Sequence, residues 1–165
     1  MSDKTITDRL QPSLLDRLTD EEPHKQTETR DDRVIDIRQL REIIQRDLSW
    51  LMNTNDNSGL IDPELYPNAS NSVLAYGVRE VAGDYSTERK AELIRQSIEK
   101  AIQKFEPRIH PGSILVELRA NQESRTTIIN FDIRADMWAQ PLPMELYLRS
   151  QIDVTTGEFN LEKVA

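Results

Sequence analysis

Glu106 and Arg108 are the residues whose types and spacing best support chemistry in this 165-residue sequence, because they flank Pro107 between a helical pattern and the first strand pattern. Proline cannot continue a helix and disfavours the helical conformation of the residue before it, so we expect a helix to end here. A rigid proline can aim a carboxylate and a guanidinium in fixed directions, and the arginine fork suits bidentate pairing. The alternative is an ordinary solvated ion pair that stabilises the fold by under about 1 kcal/mol.

Other catalytic constellations have little support in the residues available. The chain has two histidines, His24 and His110, and no cysteine, and neither histidine lies near a recognisable nucleophile motif. No glycine-rich phosphate-binding motif occurs, and the supply of histidine and cysteine disfavours a transition-metal site. We therefore expect no catalytic residues, no cofactor and no metal.

Glycoside hydrolysis is the enzymatic alternative, because it needs only two carboxyl groups. These must lie about 5 to 9.5 Å apart, and one must occupy an apolar pocket that raises its pKa. Glu106 is the acid with the most apolar sequence neighbours, but Arg108 would favour its ionised form, which is the opposite of what a general acid needs. A cell-wall enzyme would also need export, and the sequence shows no signal segment.

The composition indicates a soluble acidic protein. The charged fraction is 30% and the net charge is -8, which disfavours nucleic acid or anionic lipid as the main partner. No apolar run is long enough for a membrane span, and the absence of cysteine fits a reducing compartment. The sequence therefore predicts a cytoplasmic protein without direct membrane insertion.

Two amphipathic helices are expected. Asp36 is a plausible N-cap of a helix from Ile37 to about Leu51, and Ser86 or Thr87 would cap a stronger helix that ends at Phe105. Both patterns place apolar residues at helical spacing. The stripes are Ile37, Leu40, Ile43, Ile44, Leu48 and Leu51 in the first helix, and Ala91, Ile94, Ile98, Ala101, Ile102 and Phe105 in the second.

The segment between these helices, residues 60–84, is expected to be irregular with short helical turns, because proline and glycine interrupt it repeatedly. We expect the apolar residues of this segment to hold it on the domain: Leu65, Tyr66, Val73, Leu74 and Tyr76.

After Gly112 the apolar pattern changes to a period of two. Strands are predicted at residues 114–119, 127–136 and 144–154, followed by a turn at 155–158 and a short return strand containing Phe159 and Leu161. Ile114, Val116 and Leu118 should face inward. One face of each strand is apolar, so the predicted fold class is α+β, with helices packed on one face of a small antiparallel sheet of three to four strands.

Residues 1–33 are interpreted as a flexible N-terminal extension with a short amphipathic segment, and residues 34–165 as the folded domain. Leu10, Leu14, Leu15 and Leu18 would share one face of a helix. Two alternatives stay open, because the cluster can pack back on its own domain or insert into a groove on a partner.

The two tryptophans differ in their expected environment. Trp50 lies off the centre of its helical stripe, so it belongs either to the edge of the core or to a contact surface. Trp138 is expected in the core, because a large aromatic side chain at the end of a strand is more often buried than exposed.

Several segments, in order along the chain, resemble the lysozyme-like baseplate wedge family of contractile injection machines. The run Ile102–Ile109 contains the Glu-Pro-Arg core motif of that family. The other segments are similar to its bacterial branch, the type VI secretion baseplate subunit TssE, although the family favours Asn at Ala75 and Pro at Arg79. These segments are Pro12–Asp20, Arg46–Thr54, Ser72–Gly77 and Trp138–Pro143.

The resemblance implies a non-catalytic structural subunit of a type VI secretion baseplate, located in the cytoplasm at the membrane-docked baseplate. It implies that a sheet edge seeds the sheath by strand addition, with the junction locked by Glu106, Pro107 and Arg108, and that Leu14, Leu15 and Leu18 contact a partner. The implied partners are the baseplate proteins TssF, TssG and TssK, the sheath proteins TssB and TssC, and the VgrG spike.

Three alternatives remain open at this point. Glu106 and Arg108 can instead tie the helix end to the sheet of their own domain. The chain can be the equivalent wedge subunit of a phage tail or of an extracellular contractile injector. It can also be a peptidoglycan-cleaving lysozyme-like glycosidase.

Overall fold

The structure, a computed structural model, describes residues 13–19, 23–24, 35–81, 88–119, 127–138 and 143–163. Its helices are α1 (Leu14–Leu18), α2 (Ile37–Met52), α3 (Pro67–Ser70) and α4 (Glu88–Phe105). Its strands are β1 (Leu115–Arg119), β2 (Ile128–Met137), β3 (Met144–Asp153) and β4 (Glu158–Lys163). Helices come first and strands second, as the sequence predicts.

The strands form one antiparallel sheet in the order β1-β2-β3-β4. Ile133 in β2 is the residue opposite both Val116 in β1 and Leu148 in β3, and all three side chains are buried. Along β2 and β3, buried positions alternate with more exposed ones, as expected when one face of a sheet is covered. The predicted α+β fold with a small antiparallel sheet is confirmed.

Helix α2 begins where the sequence predicts. Asp36 accepts a hydrogen bond of 2.8 Å from the Gln39 N–H group, and the Gln39 side chain accepts one of 2.9 Å from the Asp36 N–H group. This reciprocal capping box satisfies amide groups that a helix start leaves unpaired. The buried residues of the stripe are Leu40, Ile44, Leu48 and Leu51.

Helix α4 ends at Phe105, as the position of Pro107 predicts. Ile94, Ile98 and Ile102 are fully buried and join the stripe of α2 and the apolar side of the sheet in one core cluster. The predicted cap, Ser86 or Thr87, lies outside the described residues, as do Leu10 and the residues between the first two predicted strands, 120–126.

The segment between α2 and α4 contains the predicted short turns, but the prediction of which side chains hold it on the domain was wrong. The side chains of Leu65, Tyr66, Val73 and Leu74 are each at least 60% exposed. Tyr76 alone among the predicted residues is half-buried, packing its ring against Phe105 with centroids 5.3 Å apart.

The segment is held instead by Val78 and Val81, which are buried in the core cluster, and by backbone hydrogen bonds. The Val78 N–H group donates to Thr54 O at 2.8 Å, and the Asp56 N–H group donates to Val78 O at 2.9 Å. Gly77 permits this close approach, because its φ of 131° lies in a region that L side chains avoid and its position leaves no space for a Cβ atom.

Two further burial predictions were wrong. Trp138 is 56% exposed, because β2 ends at the buried Met137 and the next side chain points to the opposite side. Leu118 is 48% exposed, because it lies near the end of β1, the strand at the border of the sheet. Trp50, for which the sequence left two alternatives, is 50% exposed.

Candidate functional site

The Glu-Pro-Arg motif forms a tight turn directly after α4. The Glu106 N–H group makes a last helical hydrogen bond to Ile102 O at 2.9 Å, and the Ile109 N–H group returns to Glu106 O at 3.2 Å. Pro107 lies exposed at the top of this turn, while Glu106 is only 4% exposed. The sequence therefore folds the two charged side chains back toward the same side of the turn.

Arg108 fills the hydrogen-bonding capacity of the buried Glu106 carboxylate. Arg108 Nε donates to Glu106 Oε1 at 2.6 Å, and Arg108 Nη2 donates to Glu106 Oε2 at 2.5 Å. The Arg108 N–H group adds a third hydrogen bond of 3.1 Å to Oε1. Such bidentate, charge-assisted pairs are strong and fix direction, so the motif is a rigid unit.

Asp47 of α2 connects this unit to the helical layer. Arg108 Nη2 donates to Asp47 Oδ2 at 2.7 Å. The other oxygen, Oδ1, accepts from Arg46 Nε at 2.9 Å and from Arg46 Nη2 at 2.7 Å. One carboxylate on α2 therefore bridges two guanidinium groups.

Arg46 carries the chain of charges onward to the N-terminal segment. Arg46 Nη1 donates to Asp16 Oδ1 at 2.5 Å and Nη2 donates to Asp16 Oδ2 at 3.4 Å, while Ser13 Oγ hydrogen-bonds to Asp16 Oδ2. Asp16 belongs to α1, so an unbroken sequence of ion pairs runs from α1 through α2 to the motif. We call this sequence the charge ladder: Asp16, Arg46, Asp47, Arg108 and Glu106.

The charges of the ladder shift the pKa values of its members. Burial alone would lower the pKa of Arg108, but hydrogen bonds and the charge of Glu106, followed by those of Asp47, raise it above its ordinary value. A hydrogen bond from Arg46 holds the pKa of Asp16 below its ordinary value, against an opposing effect of burial. Burial raises the pKa of the Tyr76 hydroxyl, and the charges of Asp47 and Glu106 raise it further.

The motif is also fixed to the sheet. The His110 N–H group donates to Asp136 O at 2.9 Å, and the Trp138 N–H group donates to Arg108 O at 2.8 Å. Ile109 pairs with Met137 as a single antiparallel bridge at the end of β2. The exposed Trp138 ring lies on the His110 ring with centroids 3.5 Å apart.

The predicted leucines of the N-terminal segment occupy a different position from the motif. Leu14, Leu15 and Leu18 lie on α1, and their side chains are 74%, 49% and 75% exposed. Asp16 links α1 to the domain through its hydrogen bonds with Arg46 of α2. The ladder thus links this short helix to the motif while its apolar side chains stay exposed.

An aromatic surface lies beside Arg46. Trp50 is half-exposed on the next turn of α2, and the Arg46 guanidinium carbon lies 4.8 Å from the centroid of a Trp50 ring. A surface pocket adjoins them, lined by Glu42, Gln45, Arg46, Ser49, Trp50 and Leu161.

The geometry of the site is better suited to holding the domain in one shape than to converting a substrate. Both oxygens of Glu106 are bound by the neighbouring arginine, which leaves this carboxylate already occupied within the domain. In the part of the chain that the structure describes, no group of three or more histidine, cysteine, aspartate or glutamate residues is arranged to hold a metal. No described helix is long and apolar enough to cross a membrane.

Sequence reasoning identified Glu106 and Arg108 but missed the residues that join them to the rest of the molecule. Asp47, Arg46 and Asp16 are three charged residues among many, and periodicity gives them no special weight. The available signal was the resemblance: Asp16 lies in Pro12–Asp20, and Arg46 and Asp47 lie in Arg46–Thr54. Segments that are distant in sequence converge at one ladder.

Most of the chain matches a known protein family. The family model described as baseplate wedge protein gp25 matches residues 38–142, which is more than half of the chain. Asp47, Glu106 and Arg108 lie inside the matched range, whereas Asp16 and the exposed leucines of α1 precede it. No curated protein and no solved structure shows a significant match to the chain.

Proposed function

This chain belongs to the baseplate wedge protein gp25 family, whose members are structural components of baseplates, and we propose that it is the TssE-type wedge subunit of a type VI secretion system. In this role it is non-catalytic and provides the platform on which the contractile sheath polymerises. The proposal places it in the cytoplasm, at the membrane-docked baseplate.

The observation that carries the proposal is the charge ladder. Glu106 is buried and saturated by Arg108, and Asp47 attaches the same arginine to α2. A helix end, a second helix and the end of β2 are thereby held in one arrangement. A subunit that seeds a polymer needs such a fixed shape, because pre-organised surfaces lose less entropy on binding.

The motif still has a surface to offer a partner. Pro107 is exposed at the top of the turn, and the Arg108 side chain keeps 26% of its surface accessible. Pro107 and the fixed Arg108 guanidinium form a rigid contact surface. Truncation of one charged residue of a buried ion pair leaves the other charge without its partner. We therefore propose two roles for the motif. The Glu106–Arg108 ion pair fixes the turn within its own domain, and Pro107 with the outer side of Arg108 contacts a partner.

The leucines of α1 form a second proposed contact. Three apolar side chains of a short helix are exposed while Asp16 holds that helix against Arg46. An amphipathic segment of this kind suits a groove on a partner protein. In the proposal, residues 1–33 are an extension that binds another baseplate protein, and residues 34–165 are the wedge domain.

The proposed partners are TssF, TssG and TssK in the wedge, TssB and TssC in the sheath, and VgrG at the spike. An affinity-tagged copy of the chain, produced from its own locus, tests this assignment by co-purification and mass spectrometry. Recovery of TssF, TssG and TssK is the expected result. Recovery of tail proteins of a phage or an extracellular injector would replace the type VI assignment, and recovery of no baseplate protein would overturn the proposal.

The lysozyme-like alternative is tested separately by zymography on peptidoglycan. The expected result is no clearing by the purified chain at any pH between 4 and 8. A cleared zone that disappears in the Glu106→Gln variant would contradict the non-catalytic role.

A further inference from the structure

Five large apolar side chains lie exposed in the segment between α2 and α4. A single exposed apolar residue is ordinary in a soluble protein, but a group of large ones marks a surface for interaction. We call this group the apolar patch. Its members, with their exposed fractions, are Leu60 at 87%, Leu65 at 70%, Tyr66 at 62%, Val73 at 78% and Leu74 at 60%.

Local hydrogen bonds order the backbone that carries the patch. The Asp62 carboxylate accepts from the N–H groups of Glu64 and Leu65, at 2.9 and 3.3 Å. The Ser70 N–H group donates to Tyr66 O at 3.0 Å, at the start of α3. A surface that is already ordered loses less entropy when it binds, so the patch is prepared for a partner.

The patch also has a defined place on the domain. Lys104, in the last turn of α4, donates from Nζ to Ser70 O at 2.7 Å. Ala75 and Val78, which follow the patch in the sequence, are buried. The core therefore uses other residues of this segment, and the apolar patch remains on its outer side.

The segment that carries the patch is negatively charged. No lysine, arginine or histidine occurs at residues 47–78. Within this range, Asp62 and Glu64 are exposed directly before Leu65 and Tyr66. A complementary surface therefore carries positive charge beside its apolar residues. A second copy of this chain, with its net charge of -8, is a poor match.

The form of the partner follows from the backbone of the patch. The Leu65 and Tyr66 N–H groups both donate to Asp62, and the Leu74 N–H group donates to Ser72 Oγ at 3.2 Å. Because these groups bond within the segment, the patch offers side chains and not a backbone edge. An amphipathic helix matches such a surface, since it presents an apolar stripe with charged residues along its margins.

We propose that the apolar patch is the docking site for an amphipathic helix of a protein partner, and that lysine or arginine residues flank the apolar stripe of this helix. The exposed side chains of the patch cover the stripe, and Glu64 pairs with a basic residue at its margin. The contact uses residues other than those of the motif and of α1. It does not depend on the type VI assignment.

Photocrosslinking at the patch tests the proposal in cells that express the full chain from its own locus. A benzoylphenylalanine replaces Val73 or, as a control, Leu93, and mass spectrometry identifies the crosslinked peptides. Leu93 is also exposed, but it lies about 16 Å along α4 from Lys104. The expected result is an adduct from position 73 and not from position 93. Its partner peptide should have apolar residues at helical spacing with lysine or arginine beside them.

A charge reversal tests the basic character of the partner. The Glu64→Lys variant should lower the yield of the adduct from position 73 at least about fivefold, because like charges repel across an interface. The control is Glu158→Lys, which makes the same change of charge at an exposed residue of β4 and should leave the yield within about twofold. The abundance of each variant is matched by immunoblot.

The other outcomes contradict the proposal. An adduct with a second copy of the chain, or within one chain, would show that this protein covers its own patch. An adduct with lipid would assign the patch to a membrane surface. A partner peptide without basic residues, or equal yields from the two charge variants, would overturn the charge assignment. If position 73 gives no adduct in cells where the chain is abundant, no helix docks on the patch.

Discussion

Arg108 and Asp47 are 61 residues apart in the sequence, yet Arg108 Nη2 donates a hydrogen bond of 2.7 Å to Asp47 Oδ2. The same nitrogen donates to Glu106 Oε2 at 2.5 Å. Arg108 is therefore the cation that joins the turn after α4 to the middle of α2. Because Asp47 also binds Arg46, which pairs with Asp16, ion pairs connect the motif to α1.

Replacement of Glu106 by glutamine should destabilise the domain. The Glu106→Gln variant keeps the shape of the side chain but leaves Arg108, 74% of whose side chain is buried, with Asp47 as its remaining anion. Removal of one partner from a buried ion pair costs about 3 kcal/mol in the free energy of unfolding. Urea denaturation followed by circular dichroism measures the difference.

The exposed Glu64 provides the matched control for this substitution. The Glu64→Gln variant should change the free energy of unfolding by less than about 0.5 kcal/mol. Equal stabilities of the two variants would show that the bidentate pair does not stabilise the domain.

The contact between α1 and α2 should weaken in acid. Arg46 holds the pKa of Asp16 below its ordinary value of 3.8, so the contact stabilises the folded chain fully above that pH. This stabilisation is lost as the pH falls through the lower, folded-state pKa. NMR titration of the Asp16 carboxyl carbon measures the shift directly.

The Arg46→Gln variant is the control for this titration. Without the guanidinium, the pKa of Asp16 should return toward 3.8. An unchanged titration midpoint in the variant would mean that α1 does not bind α2 through this pair in solution.

Asn53 should protect the outer backbone edge of β4, the last strand of the sheet, from opening. In the Asn53→Ala variant, the Phe159 N–H and C=O groups lose their partners, and the Ser49 carbonyl also loses a hydrogen bond of 2.9 Å. We expect a loss of about 1 to 2 kcal/mol in stability. Amide hydrogen exchange at Phe159 should accelerate more than at residues of β2.

The Gln45→Ala variant gives the comparison, because Gln45 makes one hydrogen bond to the backbone of β4 and Asn53 makes two. Its effect on exchange in β4 should be smaller. If the Phe159 N–H group exchanges at the wild-type rate in the Asn53→Ala variant, the side-chain amide of Asn53 does not protect the outer backbone edge of β4.

Gly77 should resist substitution by alanine far more than Gly59. A Cβ atom at Gly77 would meet the Thr54 carbonyl oxygen and would lie 2.8 Å from Asp56 N, at a φ of 131°. A Cβ atom at Gly59 would meet nothing within 4 Å. We expect Gly77→Ala to lower the free energy of unfolding by at least about 2 kcal/mol.

The Gly59→Ala variant should lie within about 0.5 kcal/mol of the wild type. Thermal unfolding of the two purified variants tests this contrast. Similar unfolding temperatures would indicate that the Thr54–Val78 backbone contact yields easily and does not hold the segment.

The sequence predicted the elements well because their patterns are local. The stripe of α4 and the proline after it placed the helix end at Phe105, and period-two patterns placed β2 and β3 within one residue of their ends. The ladder was beyond such reasoning, because Asp47 and Arg108 meet only after α2 and α4 have packed. Charged residues are common here, so no spacing singles out this pair.

Burial of apolar residues in irregular segments was predicted less well for a related reason. Leu65 and Val73 are apolar like core residues, but the buried Val78 and Val81, together with backbone hydrogen bonds at Val78, hold their segment, and Leu65 and Val73 stay exposed. Composition alone does not tell whether an apolar side chain faces its own domain or another protein. Trp138 shows the same ambiguity at the end of β2.

Sheath assembly in living cells tests the central claim most directly. Cells that lack this gene and carry a fluorescent sheath subunit are complemented with the wild-type chain, with Glu106→Ala/Arg108→Ala, or with Glu64→Gln, and the abundance of each chain is matched by immunoblot. The account predicts extended sheaths with the wild type and Glu64→Gln, and none with the double variant. Extended sheaths in cells that lack the chain altogether would contradict it.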